Sequence, residues 1–367
     1  MSIYLVKVFT SSHREKIVRQ FKKRSYEPIA DDRVAIFPWF EFIREVADQI
    51  LPHSITEYFL YWRDRIHDNW AASKLNKEYT IVVGYEECSV QTFRKAKQIG
   101  LITVLDLAQI HYKEIELIST EFPIFSEVYK NKKLRQKINQ IKEEELALAD
   151  YILCLSEFAK ASLIKHGISA DKITVVNLGF DPKKFTPKSI YQSNSNQALK
   201  IVYAGTVTKR KGIDQVLRLV EDMPNQIELS VIGAVSDASD IFQPYLSKIK
   251  WYPYLEQQEM NDIFNEQDVF VFPSYLDSWA MVVLEAMACG LPVVISTNTG
   301  AKDVVDHTCG AIISTGDYES LKKEITEMYL NRNEIENKGK MANQLVQKYT
   351  WAAYHLQIFD FFNKMNK

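Results

Sequence analysis

Short apolar runs alternate with longer stretches whose apolar residues recur at helical spacing. Thr80-Ile81-Val82-Val83-Gly84 precedes a basic helical stretch that ends at Gly100, and Leu101-Ile102-Thr103-Val104-Leu105 follows. Strand, helix and strand in that rhythm predict βαβ units and a parallel sheet. The rhythm repeats in Asp150–Leu155, in a helix Glu157–His166 with Ser156 as its N-cap and Gly167 as its stop, and in Lys172–Val176. The opening residues Met1–Val6 read as a first strand. A second series comprises Leu199–Tyr203, Glu228–Ile232, Val269–Phe272, Pro292–Ile295 and Ala311–Ile313. Between the two series, the polar and aperiodic stretch after Pro187 reads as a linker. The pattern therefore predicts an α/β chain with domains at 1–187 and 199–350, joined by 188–198. The tail Trp351–Asn366 carries Trp351, Tyr354, Leu356, Phe359 and Phe362 at helical spacing and reads as a packed amphipathic helix.

Composition narrows the function. The chain has 367 residues, and its 45 Lys+Arg nearly cancel 47 Asp+Glu, so it lacks the long-range attraction to phosphate that a dedicated nucleic-acid binder uses. No run approaches the roughly 20 apolar residues of a membrane span, and the first residues do not read as a signal peptide, so a cytoplasmic protein is expected. Cys88, Cys154, Cys289 and Cys309 lie far apart without a CxxC pair and read as reduced thiols. No glycine occurs before Gly84, whereas Gly205, Gly212, Gly233, Gly290, Gly300, Gly310 and Gly316 crowd the second half. If backbone must approach a phosphate closely, that half is where it happens.

The richest stretch runs from Val271-Phe272-Pro273-Ser274 through Asp277-Ser278-Trp279-Ala280-Met281-Val282-Val283-Leu284-Glu285-Ala286-Met287-Ala288 to Cys289-Gly290-Leu291-Pro292. A buried strand, a short loop and a helix stopped by Gly290 place a helix N-terminus at the carboxyl end of a parallel strand. Its free N–H groups and positive dipole end suit a phosphate. Asp277 and Glu285 are spaced to accept hydroxyl hydrogen bonds at both ends of a nucleotide sugar. Spacing alone equally allows Asp277 to be a helix cap and Glu285 a solvated charge.

This stretch resembles the two-acid signature of glycosyltransferase family 4, retaining enzymes of the GT-B fold. Its hallmark is a Pro-Ser, a Glu, seven residues and then Glu-Ala-Met-Ala-x-Gly-x-Pro-Val. Here Asp277 replaces the first Glu, and Ala280 stands where Gly is usual. The resemblance implies two Rossmann-like domains facing each other across a cleft, with the helix 351–367 crossing back to the acceptor-side first domain. It implies that Glu285 holds the donor ribose, that Asp277 meets the sugar, and that backbone around Ser278, Trp279, Ala280, Met281 and Val282 binds the diphosphate.

Tyr203-Ala204-Gly205-Thr206-Val207-Thr208-Lys209-Arg210-Lys211-Gly212 is similar to the family's phosphate loop, with Thr206 in place of the usual Arg. The resemblance assigns Gly205, Thr206, Arg210 and Lys211 to the donor, and Arg210, Lys211, Asp277 and His111 to catalysis. His111 follows the strand ending near Leu105 and is expected to face the cleft. The family's Gly-rich first loop reads here as Phe9-Thr10-Ser11-Ser12-His13-Arg14, which makes Ser11 and Ser12 acceptor-side candidates together with Glu86 and Glu87.

The implied activity is retaining sugar transfer from a nucleoside diphosphate to a glycan or lipid-linked acceptor, with no cofactor and no metal. A nucleotide-sugar hydrolase or epimerase on the same fold, and a non-catalytic nucleotide-binding subunit, remain open alternatives. The basic stretch Lys130–Lys142, with Leu134, Ile138 and Ile141 as an apolar stripe, and the aromatic-rich region Phe37–Trp70 are candidates for peripheral contact with an anionic membrane, against packing of the stripe on the core.

Overall fold

A computed structural model describes residues 53–124, 131–191 and 197–365. The expected first strand, Ser11, Ser12 and the middle of the 188–198 segment lie outside these residues. The chain falls into two compact units, Met1–Arg63 and Asp64–Lys367. Of the first, only the opening of the helix His53–Lys74 is described.

The first half of the second unit builds a parallel sheet from β1 (Ile81–Tyr85), β2 (Ile102–Leu107), β3 (Tyr151–Cys154) and β4 (Ile173–Val175), in that order. The helix Val90–Ile99 ends at Gly100, whose φ of 84° supplies the left-handed C-terminal turn. Ser156 caps the helix Glu157–Lys165 by accepting the Ala159 N–H. The basic helix, Lys132–Leu148, buries Leu134 and Ile138 in the core. Of the two alternatives for its stripe, Leu134 and Ile138 follow packing on the core: the apolar periodicity is the inward face of a packed helix. Among the described residues no helix is long and apolar enough to cross a membrane.

The second half builds a six-stranded sheet from β5 (Leu199–Ala204), β6 (Ile227–Ile232), β7 (Lys250–Tyr252), β8 (Val269–Phe272), β9 (Val293–Ser296) and β10 (Gly310–Ile313), in the order β10-β9-β8-β5-β6-β7. Every pairing is parallel. Central β8 is buried at all four residues, which is why Val-Phe-Val-Phe shows no alternation. Strand β7 escapes the sequence pattern because Lys-Trp-Tyr is a three-residue edge strand with Lys250 exposed and Trp251 and Tyr252 half-buried. The four cysteines are free thiols.

The sheets are joined by two paired crossings. The Phe180 N–H donates to the Tyr349 carbonyl at 3.0 Å and the Trp351 N–H to the Phe180 carbonyl at 3.2 Å. A Cβ at Gly179 would sit 2.1 Å from the Thr350 carbonyl carbon, so only glycine admits this approach. After the crossing, the helix Trp351–Met365 lies on the first sheet, packing Tyr354, Ile358, Phe361, Phe362 and Met365 against Val104, Leu153 and Val176. The contact stripe therefore differs from the expected one: Leu356 and Phe359 are more than 60% exposed. The linker reading also needs correction at its start. Lys188 donates to the Cys289 carbonyl through its N–H, and Tyr191 to the Gly290 carbonyl, so this stretch is fastened to the second half.

Candidate active site

In the second sheet, β5 lies between β6 and β8, so the connections leaving β5 and β8 diverge to opposite faces. Open parallel sheets offer a crevice at such a switch point, beyond the carboxyl ends of the strands. A cavity of about 600 Å³ opens there. The second half lines it with Gly205, Arg210, Lys211 and the run Leu276–Val282, plus Glu285; Ala108, Gln109, Ile115, Leu155 and Leu178 line it from the first half.

The loop after β5 is shaped by glycine. Gly205 has φ 136°, and a Cβ there would stand 3.3 Å from Lys211 Nζ. Thr208 accepts the Lys211 N–H at 3.3 Å, closing the turn Lys209–Lys211. At Gly212, φ is 74° and a Cβ would meet the Pro273 carbonyl oxygen at 2.1 Å, so glycine lets the loops after β5 and β8 touch. Lys211 Nζ reaches Asp277 Oδ2 at 3.9 Å. Burial lowers the Lys211 pKa, opposed by Asp277 and reinforced by Arg210. Arg210 Nη1 donates to the Leu276 carbonyl at 2.9 Å, and the Arg210 carbonyl accepts the Tyr275 N–H.

The loop after β8 is held from every side. The Asp277 N–H donates to the Asn298 carbonyl and the Gly300 N–H to the Asp277 carbonyl, while Asp277 Oδ1 accepts the Trp279 N–H at 3.2 Å. The Trp279 indole N–H donates to the Leu178 carbonyl at 3.0 Å. Ala280 then takes φ 63°, the left-handed region, before the helix Met281–Ala288 begins. The Met281 and Val282 N–H groups open that first turn, where a helix offers no intrahelical acceptor, and both residues line the cavity. The left-handed backbone gives Ala280 a direct consequence. Ala280→Gly should raise chemical stability by about 0.5–1 kcal/mol, the relieved Cβ clash less the added freedom of the unfolded chain. Urea unfolding should show a higher midpoint at unchanged slope.

Glu285 is buried, not a solvated charge, and lines the cavity one turn into the helix. Burial alone raises its pKa to about 7. The cavity thus has a cationic end at Arg210 and Lys211, a helix N-terminus beside it, and a carboxyl that an incoming polar group could satisfy.

Four other candidate residues lie outside the cavity lining. His111 does not line the cavity. It begins the helix Tyr112–Glu121, accepting the Lys113 N–H on Nδ1, and its ring stacks on His166 at 4.6 Å. Burial, then His166 and Lys113, lower its pKa to about 4. Glu86 and Glu87 flank the buried Lys142, at 3.4 and 3.0 Å, in an ion-paired cluster. Thr206 is exposed outside the lining, with its carbonyl accepting the Tyr203 hydroxyl. In their place the structure brings forward Gln109, Ile115, Leu155 and Leu178. Gln109 lies just beyond the end of β2, with Ala108 between them, so the strand-end position that His111 suggested is filled two residues earlier.

The halves are closed on each other around the cavity. Ser156 Oγ donates to the Ser278 carbonyl at 2.8 Å, and the Glu157 N–H to Asp303 Oδ2 at 2.6 Å. Tyr275 and Leu276, from the loop after β8, are buried in the first half's core with Phe93, Leu105 and Ile110.

Two parallel-sheet halves, a crossing-back helix and a cavity at the switch point define the GT-B glycosyltransferase fold. Within it, residues 187–347 match the model of the family described as glycosyl transferases group 1. A D-inositol 3-phosphate glycosyltransferase of Xylanimonas cellulosilytica is 26% identical over 197 residues, 48% of this chain and 47% of the relative. The chain spans about half the length of the curated relatives it matches. Among solved structures, sucrose-phosphate synthase from Thermosynechococcus elongatus superposes with TM-score 0.65 at 17% identity, covering 86% of this chain and 80% of that one. Anabaena HepE in complex with UDP superposes with TM-score 0.65 at 15% identity, covering 81% and 82%.

Proposed function

We propose that the protein transfers a sugar from a nucleoside-diphosphate donor to a glycan or lipid-linked acceptor, with retention of anomeric configuration. The observation that carries this reading is the convergence of Arg210, Lys211, the start of the helix Met281–Ala288 and Glu285 on one cavity. A diphosphate at the cationic end would be met by Lys211 and Arg210 and by the helix N–H groups, and Glu285 would accept ribose hydroxyls. The UDP in complex with Anabaena HepE and the polysaccharide for which the amylovoran biosynthesis glycosyltransferase of Erwinia amylovora is named support the same class of substrates.

In the proposed step the bond from sugar C1 to the phosphate oxygen breaks and a bond from C1 to the acceptor oxygen forms. The acceptor proton passes to the departing phosphate on the same face. Negative charge grows on the diphosphate, so preorganised cations and N–H groups there act on the transition state more than on the ground state. Protein charges fill this role in the proposal without a metal.

The test is a transfer assay with nucleotide sugars and candidate acceptor glycans. Product requiring both substrates, with α configuration from an α-linked donor by the anomeric NMR coupling, is the expected outcome. Free sugar formed at the same rate without acceptor would instead indicate a hydrolase, and an inverted product would remove retention.

A further inference from the structure

The first half contributes Ala108, Gln109, Ile115, Leu155 and Leu178 to the cavity, and among these described residues only Gln109 has a polar side chain. It stands on the turn between β2 and the helix Tyr112–Glu121, at the carboxyl end of its strand and half-buried. Its amide forms no hydrogen bond with another described residue, in contrast to the neighbouring His111, whose ring is used in capping and stacking. From the second half, Asp277 carries its carboxylate back toward its own loop, with one oxygen on the Trp279 N–H and the other toward Lys211. The side of the cavity facing the first half therefore presents apolar surface and one uncommitted amide.

A sugar ring fits that chemistry. Its C–H face tolerates Ile115, Leu155 and Leu178, while its hydroxyls need a group that both donates and accepts, which an amide does and a carboxylate or ammonium does not. We infer that Gln109 hydrogen-bonds hydroxyls of the transferred sugar and so sets which sugar the protein accepts. This rests on the proposed donor site and adds to it a residue that discriminates sugar from nucleotide. Gln109 is then a specificity residue: it contacts the sugar, while the diphosphate is held from the second half.

The test compares wild type with Gln109→Ala and Gln109→Glu. UDP, GDP, ADP and their glucose and galactose conjugates serve as probes in calorimetric titration, after each variant is checked for an unchanged unfolding midpoint. The expected result for Gln109→Ala is unchanged affinity for the free nucleotide and about tenfold weaker affinity for its sugar conjugate. Gln109→Glu, which keeps an acceptor, should recover part of the loss and alter the glucose-to-galactose preference. Equal weakening of nucleotide and conjugate, or no weakening of either, would overturn the inference while leaving the donor site intact. If none of the nucleotides binds wild type, the donor site and this inference fall together.

Discussion

Lys211→Ala should lower kcat by about 10²–10³-fold while changing KM for the nucleotide sugar much less, as expected when a preorganised cation that meets developing charge is removed. Lys211 ends a short turn closed by Thr208, next to a glycine whose missing Cβ leaves room for the ammonium, and the site is largely shielded from water. Burial makes that charge costly in the free protein and strengthens its attraction to a diphosphate once water is displaced. Lys211→Arg keeps the charge but moves it on a longer, planar group and should restore only part of the rate. Steady-state kinetics of the three proteins check this, and wild-type kcat in Lys211→Ala would remove Lys211 from the chemistry.

Glu285→Gln should act in opposite directions on stability and on binding. The folded pKa is raised by burial to about 7, against an ordinary value of 4.5. Below pH 4.5 both folded and unfolded carboxyls are protonated and the group contributes no difference. Between 4.5 and about 7 the unfolded chain releases its proton while the folded chain keeps it, so stability falls as pH rises. Above 7 the loss is complete, at about 3 kcal/mol. Glutamine has no such cost, so the ligand-free variant should match wild type near pH 4.5 and exceed it by up to that amount at pH 8. Urea unfolding across this range measures it. Ribose hydroxyls that donate to the carboxylate favour its charged form, so wild-type nucleotide affinity should strengthen as pH rises through 7. The variant should bind about tenfold more weakly, with that pH dependence gone.

The second half's side of the cavity is legible because its parts are local in sequence. Pro273 to Glu285 encodes strand, loop and helix in one run, and the geometry of Lys211 follows from a turn that two glycines permit. Residues whose fate depends on distant partners were not legible. Glu86 and Glu87 look like free carboxylates until Lys142, on a helix more than 50 residues away, is folded between them. His111 looks poised at a strand end until the Lys113 N–H and the His166 ring take it up. An apolar stripe at helical spacing is the same signal whether it meets a bilayer or a core, and for Leu134 and Ile138 the core is present. Gln109 was missed because no periodicity or motif marks a single polar residue after a strand; its meaning comes from the cavity wall around it.

The central claim is that the cavity between the loops after β5 and β8 is a nucleotide-sugar site organised by Glu285. It is tested most directly by thermal unfolding of wild type and Glu285→Gln at pH 8 with UDP, GDP, ADP and their sugars at millimolar concentration. A ligand that binds only the folded state raises the midpoint according to its affinity. One nucleotide and its sugar should raise the wild-type midpoint clearly and that of Glu285→Gln much less, although the variant starts higher. No shift with any nucleotide, or equal shifts in both proteins, would contradict it.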